Sequence, residues 1–285
     1  MPNLTAIGKM RWLQFLFLLS LTFYSRAQVV LDWDLFHPLQ QKWLPFGQAG
    51  SVQEFLWHSG ELPDPFYAEN EHKYQWIEAH NWVFRSQFFL NEDFYNADTL
   101  QLRIPNLDTY AQLYINGKFL ARTDNFFVKY AFPIPVKALN CGYNTIEIQI
   151  ESPVCYHANA EKQPEFVFPA PNDVAEQKVA PLTRKPQYHF GWDWAPRMVT
   201  MGFAYPIEIA VQEPIAVDYL LVNTLDLQQN EAKIELKGKL KGSAAILQCK
   251  SKHFQDFQTG TQQDFKLECS IQNPQLWWPN GQGLQ

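Results

Sequence analysis

The sequence predicts an all-β protein: a β-sandwich with long ordered loops, followed by a second, smaller immunoglobulin-like sandwich. Three observations carry this. Apolar and polar residues alternate in short runs such as Thr99-Leu-Gln-Leu-Arg-Ile-Pro105 and Asn144-Thr-Ile-Glu-Ile-Gln-Ile150, the pattern of strands buried on one face. Asn116-Gly117 joins two such runs, and both central residues of a two-residue hairpin turn need positive φ. Beyond Glu213-Pro214 the aromatics thin out and four short strand-like runs follow at even spacing, as in a small sandwich.

In chain order, residues 1–27 read as an export signal. Lys9 and Arg11 precede the apolar run Trp12–Phe23, and Ser25-Arg-Ala27 offers small residues before a cut at Gln28. The run is shorter than the ~20 residues a spanning helix needs, so no membrane association is expected after cleavage. The first block then carries Thr99–Pro105, the hairpin Ala111–Ile115 with Lys118–Ala121, Asn144–Ile150 behind the turn at Cys141-Gly-Tyr, and Phe203–Val211 as its closing strand. Trp76–Phe89 alternates into a strand, which puts Trp82, Phe84 and Phe88 in the core. Residues 36–82 and 152–200 read as long loops, ordered because they are rich in aromatics. The second block has Ile215–Val222, Ala232–Gly238, Ala244–Cys249 and Asp264–Cys269. A last strand to close that sandwich is missing, so the chain reads as a fragment.

Composition narrows the function. With 29 acidic against 23 basic residues and a net charge of -6, no basic footprint for nucleic acid is present. Cys141, Cys155, Cys249 and Cys269 follow no metal-type spacing. Local disulfides, Cys141 with Cys155 and Cys249 with Cys269, and free thiols both stand as readings. No nucleophile elbow, zinc motif, P-loop or dinucleotide fingerprint occurs, and neither a metal nor a cofactor is expected. Asn70-Glu71, Asn91-Glu92 and Asn230-Glu231 read as solvated loop or turn residues.

The stretch His189-Phe-Gly-Trp-Asp-Trp-Ala-Pro-Arg197 is different. A pyranose presents an apolar C–H face that stacks on an aromatic ring, and hydroxyls that suit a carboxylate or a guanidinium fork. Trp192, Asp193, Trp194 and Arg197 supply all of these. The competing reading is a packed bend in which Asp193 and Arg197 pair with each other, and both stand at this point. Asp124-Asn-Phe-Phe127 caps a loop or turns Asn125 toward a ligand, with loop structure the simpler role.

The chain resembles the N-terminal part of the β-mannosidases of glycoside hydrolase family two. The resemblance rests on Gly60-Glu-Leu-Pro-Asp-Pro65, Trp76-Ile-Glu78 with Trp82, Leu107–Gly117, Asp124–Phe127, Arg184-Lys-Pro-Gln187 running into His189–Arg197, and Leu276-Trp-Trp-Pro-Asn-Gly-Gln-Gly283. It implies a galactose-binding-like jelly roll over 28–212, an immunoglobulin-like sandwich from 213 to 285, truncated, and an absent catalytic (β/α)8 barrel. It implies retaining hydrolysis of terminal non-reducing β-D-mannosyl residues by two glutamates on that barrel. The implied partners are β-mannosides or mannose-containing oligosaccharides and the C-terminal barrel of the same protein. Trp192 and Asp193 would line the mannose subsite, with Trp194, Arg197 and Asn125 supporting the loop. Ala195 stands where relatives commonly have glycine and Pro186 where alanine is common, two departures that bear on the loop's backbone geometry. A freestanding carbohydrate-binding protein is the alternative. The expected compartment is periplasmic or extracellular, with a lysosomal route as the other option.

Overall fold

The computed structural model describes residues 28–91, 94, 97, 99–158, 168–176, 178–212, 215–242, 245–250, 255–260 and 264–283. The expected export signal at 1–27 lies outside the described residues. The chain divides into two compact units, Met1–Gln212 and Glu213–Gln285.

The first unit is a jelly-roll sandwich of two antiparallel sheets. One sheet has the order β1-β12-β6-β9, from Gln28–Val30 (β1), Glu208–Val211 (β12), Thr99–Ile104 (β6) and Tyr130–Pro135 (β9). The other runs β3-β2-β5-β10-β7-β8. Its strands are Lys42–Gly47 (β3), Trp33–His37 (β2), Trp82–Leu90 (β5), Gly142–Glu151 (β10), Tyr110–Ile115 (β7) and Lys118–Asp124 (β8). Alternation does the sorting: every second residue of β5, Trp82, Phe84, Ser86, Phe88 and Leu90, is buried, because successive side chains leave opposite faces of a strand. The register places Ile148 opposite Phe84 and Ile150 opposite Trp82, so neighbouring strands present their apolar side chains to one core. Asn116 and Gly117 both adopt positive φ between β7 and β8, the geometry a two-residue hairpin turn requires.

Two expectations change. Phe203–Val211 is not one strand: Gly202–Phe203 (β11) pairs with Gly50–Ser51 (β4), while β12 joins β6 and β1. Pro206 lies in the break, where a missing N–H cannot join a ladder. The stretch 36–82 is not all loop. It contains β3, the helix Val52–His58 (α1) and a 3-10 helix over Asn70–Ala79. Ser51 starts α1 by accepting a hydrogen bond from the Glu54 N–H at 3.1 Å, satisfying an otherwise orphan donor.

The second unit contains, among the described residues, a three-stranded sheet of Ile215–Leu227 (β13), Glu231–Gly242 (β14) and Asp264–Gln272 (β17), and a hairpin of Ala245–Lys250 (β15) with Gln255–Gly260 (β16). This is part of an immunoglobulin-like sandwich. Cys141 and Cys155 are free thiols, so the local Cys141–Cys155 bridge is not formed; the Cys249 side chain lies outside the described residues.

Phe84 is fully buried and packs edge-on against Phe46 and Phe203 at 4.9 and 5.2 Å. Phe84→Ala is expected to lower the unfolding free energy by ~3–5 kcal/mol, read as a fall in the urea midpoint. A loss below ~1 kcal/mol would mean that this ring is not central to the core.

Candidate functional site

The stretch singled out in the sequence forms a small hairpin on the first unit. Trp192 and Ala195 exchange backbone hydrogen bonds at 3.2 and 3.3 Å, and the Met198 N–H donates to the His189 carbonyl at 3.0 Å. Asp193 and Trp194 therefore occupy the two tip positions of a tight turn. Trp194 is 79% exposed, Trp192 43% exposed, and Asp193 is exposed as well. Ala195 is not among the residues with positive φ, so its backbone does not require glycine. Pro186 has φ -56° and starts the 3-10 turn Gln187–Phe190, a value proline adopts without strain. Gly191 is where glycine is needed: its φ is 106°, and a Cβ there would sit 2.7 Å from the Asn172 carbonyl oxygen.

Arg197 does not pair with Asp193. It lies buried in the hairpin stem and reaches Glu78, with Nε 3.1 Å from Oε2 and Nη2 3.1 Å from Oε1. A second ion pair joins it to Asp173, and it also donates to the Phe190 carbonyl. Asp173 in turn accepts from the backbone N–H groups of Val179 and Ala180. One guanidinium thus ties together the 3-10 segment at Glu78, the loop at Asp173 and the hairpin. Burial pushes the Glu78 carboxyl upward, with the Arg197 hydrogen bonds opposing it. The bidentate fork suits arginine, which holds its charge under such burial.

Below the stem is a second buried cluster that sequence reasoning missed. Lys185 is 1% exposed, and its Nζ lies 2.8 and 2.9 Å from the two oxygens of Asp108. The same ammonium donates to the Thr200 carbonyl at 2.7 Å. The Thr200 hydroxyl donates to Asp108 at 2.7 Å and lies 2.9 Å from His189 Nδ1. Asp108 also accepts from the Thr109 hydroxyl. A cleft of ≈ 310 Å³ opens beside this base, lined in part by Glu54, Asn106, Phe126, His189 and Thr200.

Asn125 belongs to the loop neighbouring the hairpin base. Its side-chain oxygen accepts from the Phe127 N–H, and its backbone exchanges hydrogen bonds with the Tyr130 hydroxyl. Phe126 donates to the Arg184 carbonyl and packs edge-on to His189 at 5.9 Å. Asn70 and Glu71 sit in the first turn of the 3-10 helix, where Asn70 accepts from Lys73. Glu231 accepts from Gln272 across the second unit's sheet, and Glu92 lies outside the described residues. Among the described residues, no three His, Cys, Asp or Glu side chains are grouped to hold a metal.

The family profile described as "Glycosyl hydrolase 2 galactose-binding domain-like" matches residues 33–204. The chain belongs to this glycosyl hydrolase 2 family. The whole site described above, from Glu78 to Thr200, falls inside the matched glycosyl hydrolase 2 region. Among relatives, the chain is 27% identical to the β-mannosidase of Capra hircus over 278 residues, covering 89% of this chain and 31% of that protein. It is also 27% identical to β-mannosidase B of Aspergillus terreus, covering 85% of this chain and 29% of that protein. The crystal structure of the β-D-mannosidase from Dictyoglomus thermophilum superposes with a TM-score of 0.76 at 27% identity, covering 90% of this chain and 33% of that one. An exo-chitosanase from Amycolatopsis orientalis shares the fold, with a TM-score of 0.60 at 15% identity. The chain spans about 30% of the length of these relatives.

Two outcomes test the base of this glycosyl hydrolase 2 site. Lys185→Met removes the ammonium and leaves the Asp108 carboxylate buried without its cation. That should cost ~3–5 kcal/mol in urea denaturation, and a loss below ~1 kcal/mol would contradict the role given to the pair. His189 is pushed down to about 4, first by burial and then by the Lys185 ammonium, with Asp108 pulling the other way. An unfolded histidine titrates near ~6.5. Between these values the unfolded chain holds the extra proton, so stability is full above ~6.5 and falls as pH drops toward 4, by up to ~3 kcal/mol. Denaturation midpoints at pH 7 and pH 4.5 should therefore differ more in the wild type than in His189→Gln; equal differences would rule His189 out as the titrating group.

Proposed function

We propose that this chain is part of an exported β-mannosidase and supplies one wall of its mannose subsite without carrying the catalytic glutamates. The observation that carries the reading is the hairpin tip. Trp192 and Asp193 are exposed, while the stem beneath them is held by buried ion pairs. An exposed indole beside a carboxylate is a poor choice for a fold, yet a useful one for a sugar that must be held from one side. The relatives named β-mannosidase, with more than two thirds of their length beyond what this chain covers, support assigning the two-glutamate chemistry to a barrel outside it. There Asp193 accepts hydrogen bonds from mannose hydroxyls away from the anomeric carbon, and Trp192 packs on the ring. The pattern over residues 9–27 supports export to the periplasm or the cell exterior, or a lysosomal route where the cell has one.

In the complete enzyme, Asp193→Ala is expected to lower kcat/KM for an aryl β-mannoside by roughly 10- to 150-fold, the worth of a hydrogen bond to a charged group of ~1.5–3 kcal/mol. The melting temperature should stay the same, because the tip carboxylate has no ion-pair partner among the described residues. An unchanged kcat/KM would remove Asp193 from the subsite.

A further inference from the structure

The outer face of the six-stranded sheet carries a cleft of ≈ 610 Å³, within the ~300–1,000 Å³ of ordinary ligand sites. It lies within the first unit, and neither Trp192 nor Asp193 lines it. Its floor follows from strand register. Gln149 of β10 is opposite Gln112 of β7, which is opposite Arg122 of β8. Residues in register share a face of the sheet, so these three form one row of planar polar groups. In the next row, Glu151 is opposite Tyr110.

The groups of the floor are only partly committed. Gln149 gives its amide N–H to Glu147 at 2.8 Å, and Gln112 uses its side-chain oxygen on the Tyr114 hydroxyl at 2.8 Å. Among the described residues, that leaves the Gln149 carbonyl oxygen and the Gln112 amide nitrogen without partners, and neither Arg122 nor Glu151 makes an ion pair. Donors and acceptors stand side by side, as a hydroxyl-rich ligand needs. Asp124 also lines the cleft but is paired with Arg184, so the charges left over, Arg122 and Glu151, balance and favour a neutral ligand over an anionic one.

The wall is aromatic and braced. Tyr156, on the short helix Pro153–Ala158 (α2), stacks on Tyr110 with ring centres 3.8 Å apart and 6° between planes. His157 stands edge-on to both rings and lies 3.1 Å from the Tyr110 hydroxyl. With one face fixed on Tyr110, Tyr156 is still 42% exposed, a ring held in place with surface to spare. Such a ring takes the C–H face of a pyranose, while the amide row takes its hydroxyls.

We propose that this cleft is a second carbohydrate-binding site, taking a short neutral oligosaccharide and independent of the Trp192–Asp193 tip. The test is isothermal titration of the full chain with β-1,4-mannotriose and with cellotriose. At least one triose should bind with one-to-one stoichiometry. Tyr156→Ala should weaken it about tenfold or more, the effect of losing ~1.4 kcal/mol of contact, and Gln149→Ala several-fold. Tyr156→Phe keeps the ring and should retain binding. Absence of binding by both trioses up to about 10 mM, well past the ~1 mM range of weak sites, would overturn the proposal. So would binding that survives both cleft variants, or binding that Asp193→Ala abolishes.

Discussion

A salt bridge shut away from water, Lys185 with Asp108, joins the irregular half of the first unit to its sandwich. Asp108 lies in the connection between β6 and β7, and Lys185 at the start of the stretch that carries the hairpin. Burying an ammonium is unfavourable on its own, and burial pushes the Lys185 ammonium down while Asp108 pushes it up. The pair persists because every polar atom has a second role: Nζ also donates to the Thr200 carbonyl, and Asp108 also accepts from Thr200 and Thr109. A hydrophobic pair of similar volume would satisfy none of those groups. Specific charged partners therefore fix where the 184–200 segment lies.

Arg197 repeats the device one level higher. Its fork spans Glu78 and Asp173, both distant in sequence, and Asp173 carries the restraint onward into the backbone at Val179 and Ala180. The two cations clamp the hairpin from below and from the side. Gly191 lets the chain pass the Asn172 carbonyl at a distance no side chain would permit. The outcome is a turn whose stem is fixed and whose tip residues contribute little to the fold. Trp192, Asp193 and Trp194 all lie exposed at that tip.

Much of the sandwich was legible because alternation is a local signal: β5, β6 and β10 follow it residue by residue. Helix α1 also carries a local signal, since Ser51-Val-Gln-Glu54 is a capping-box pattern before an apolar run. The clamps were not readable. Arg184 and Lys185 are neighbours, yet one is exposed in an ion pair with Asp124 and the other is sealed inside. Nothing in their order tells them apart. The competing reading in which Asp193 pairs with Arg197 fails because a turn puts Asp193 at the tip and Arg197 in the stem, on Glu78 and Asp173. Long-range partners such as Glu78 become visible only in three dimensions.

In the proposed subsite the buried clamps hold the hairpin that presents Trp192 and Asp193 to the sugar. The most direct measurement is a crystal structure of the complete enzyme with a β-mannoside bound. An Asp193 carboxylate oxygen is expected within about 2.5–3.0 Å of a mannose hydroxyl and the Trp192 ring against the sugar, with Arg197 still on Glu78 and Asp173. A bound mannoside that touches neither Trp192 nor Asp193 would contradict the proposed subsite.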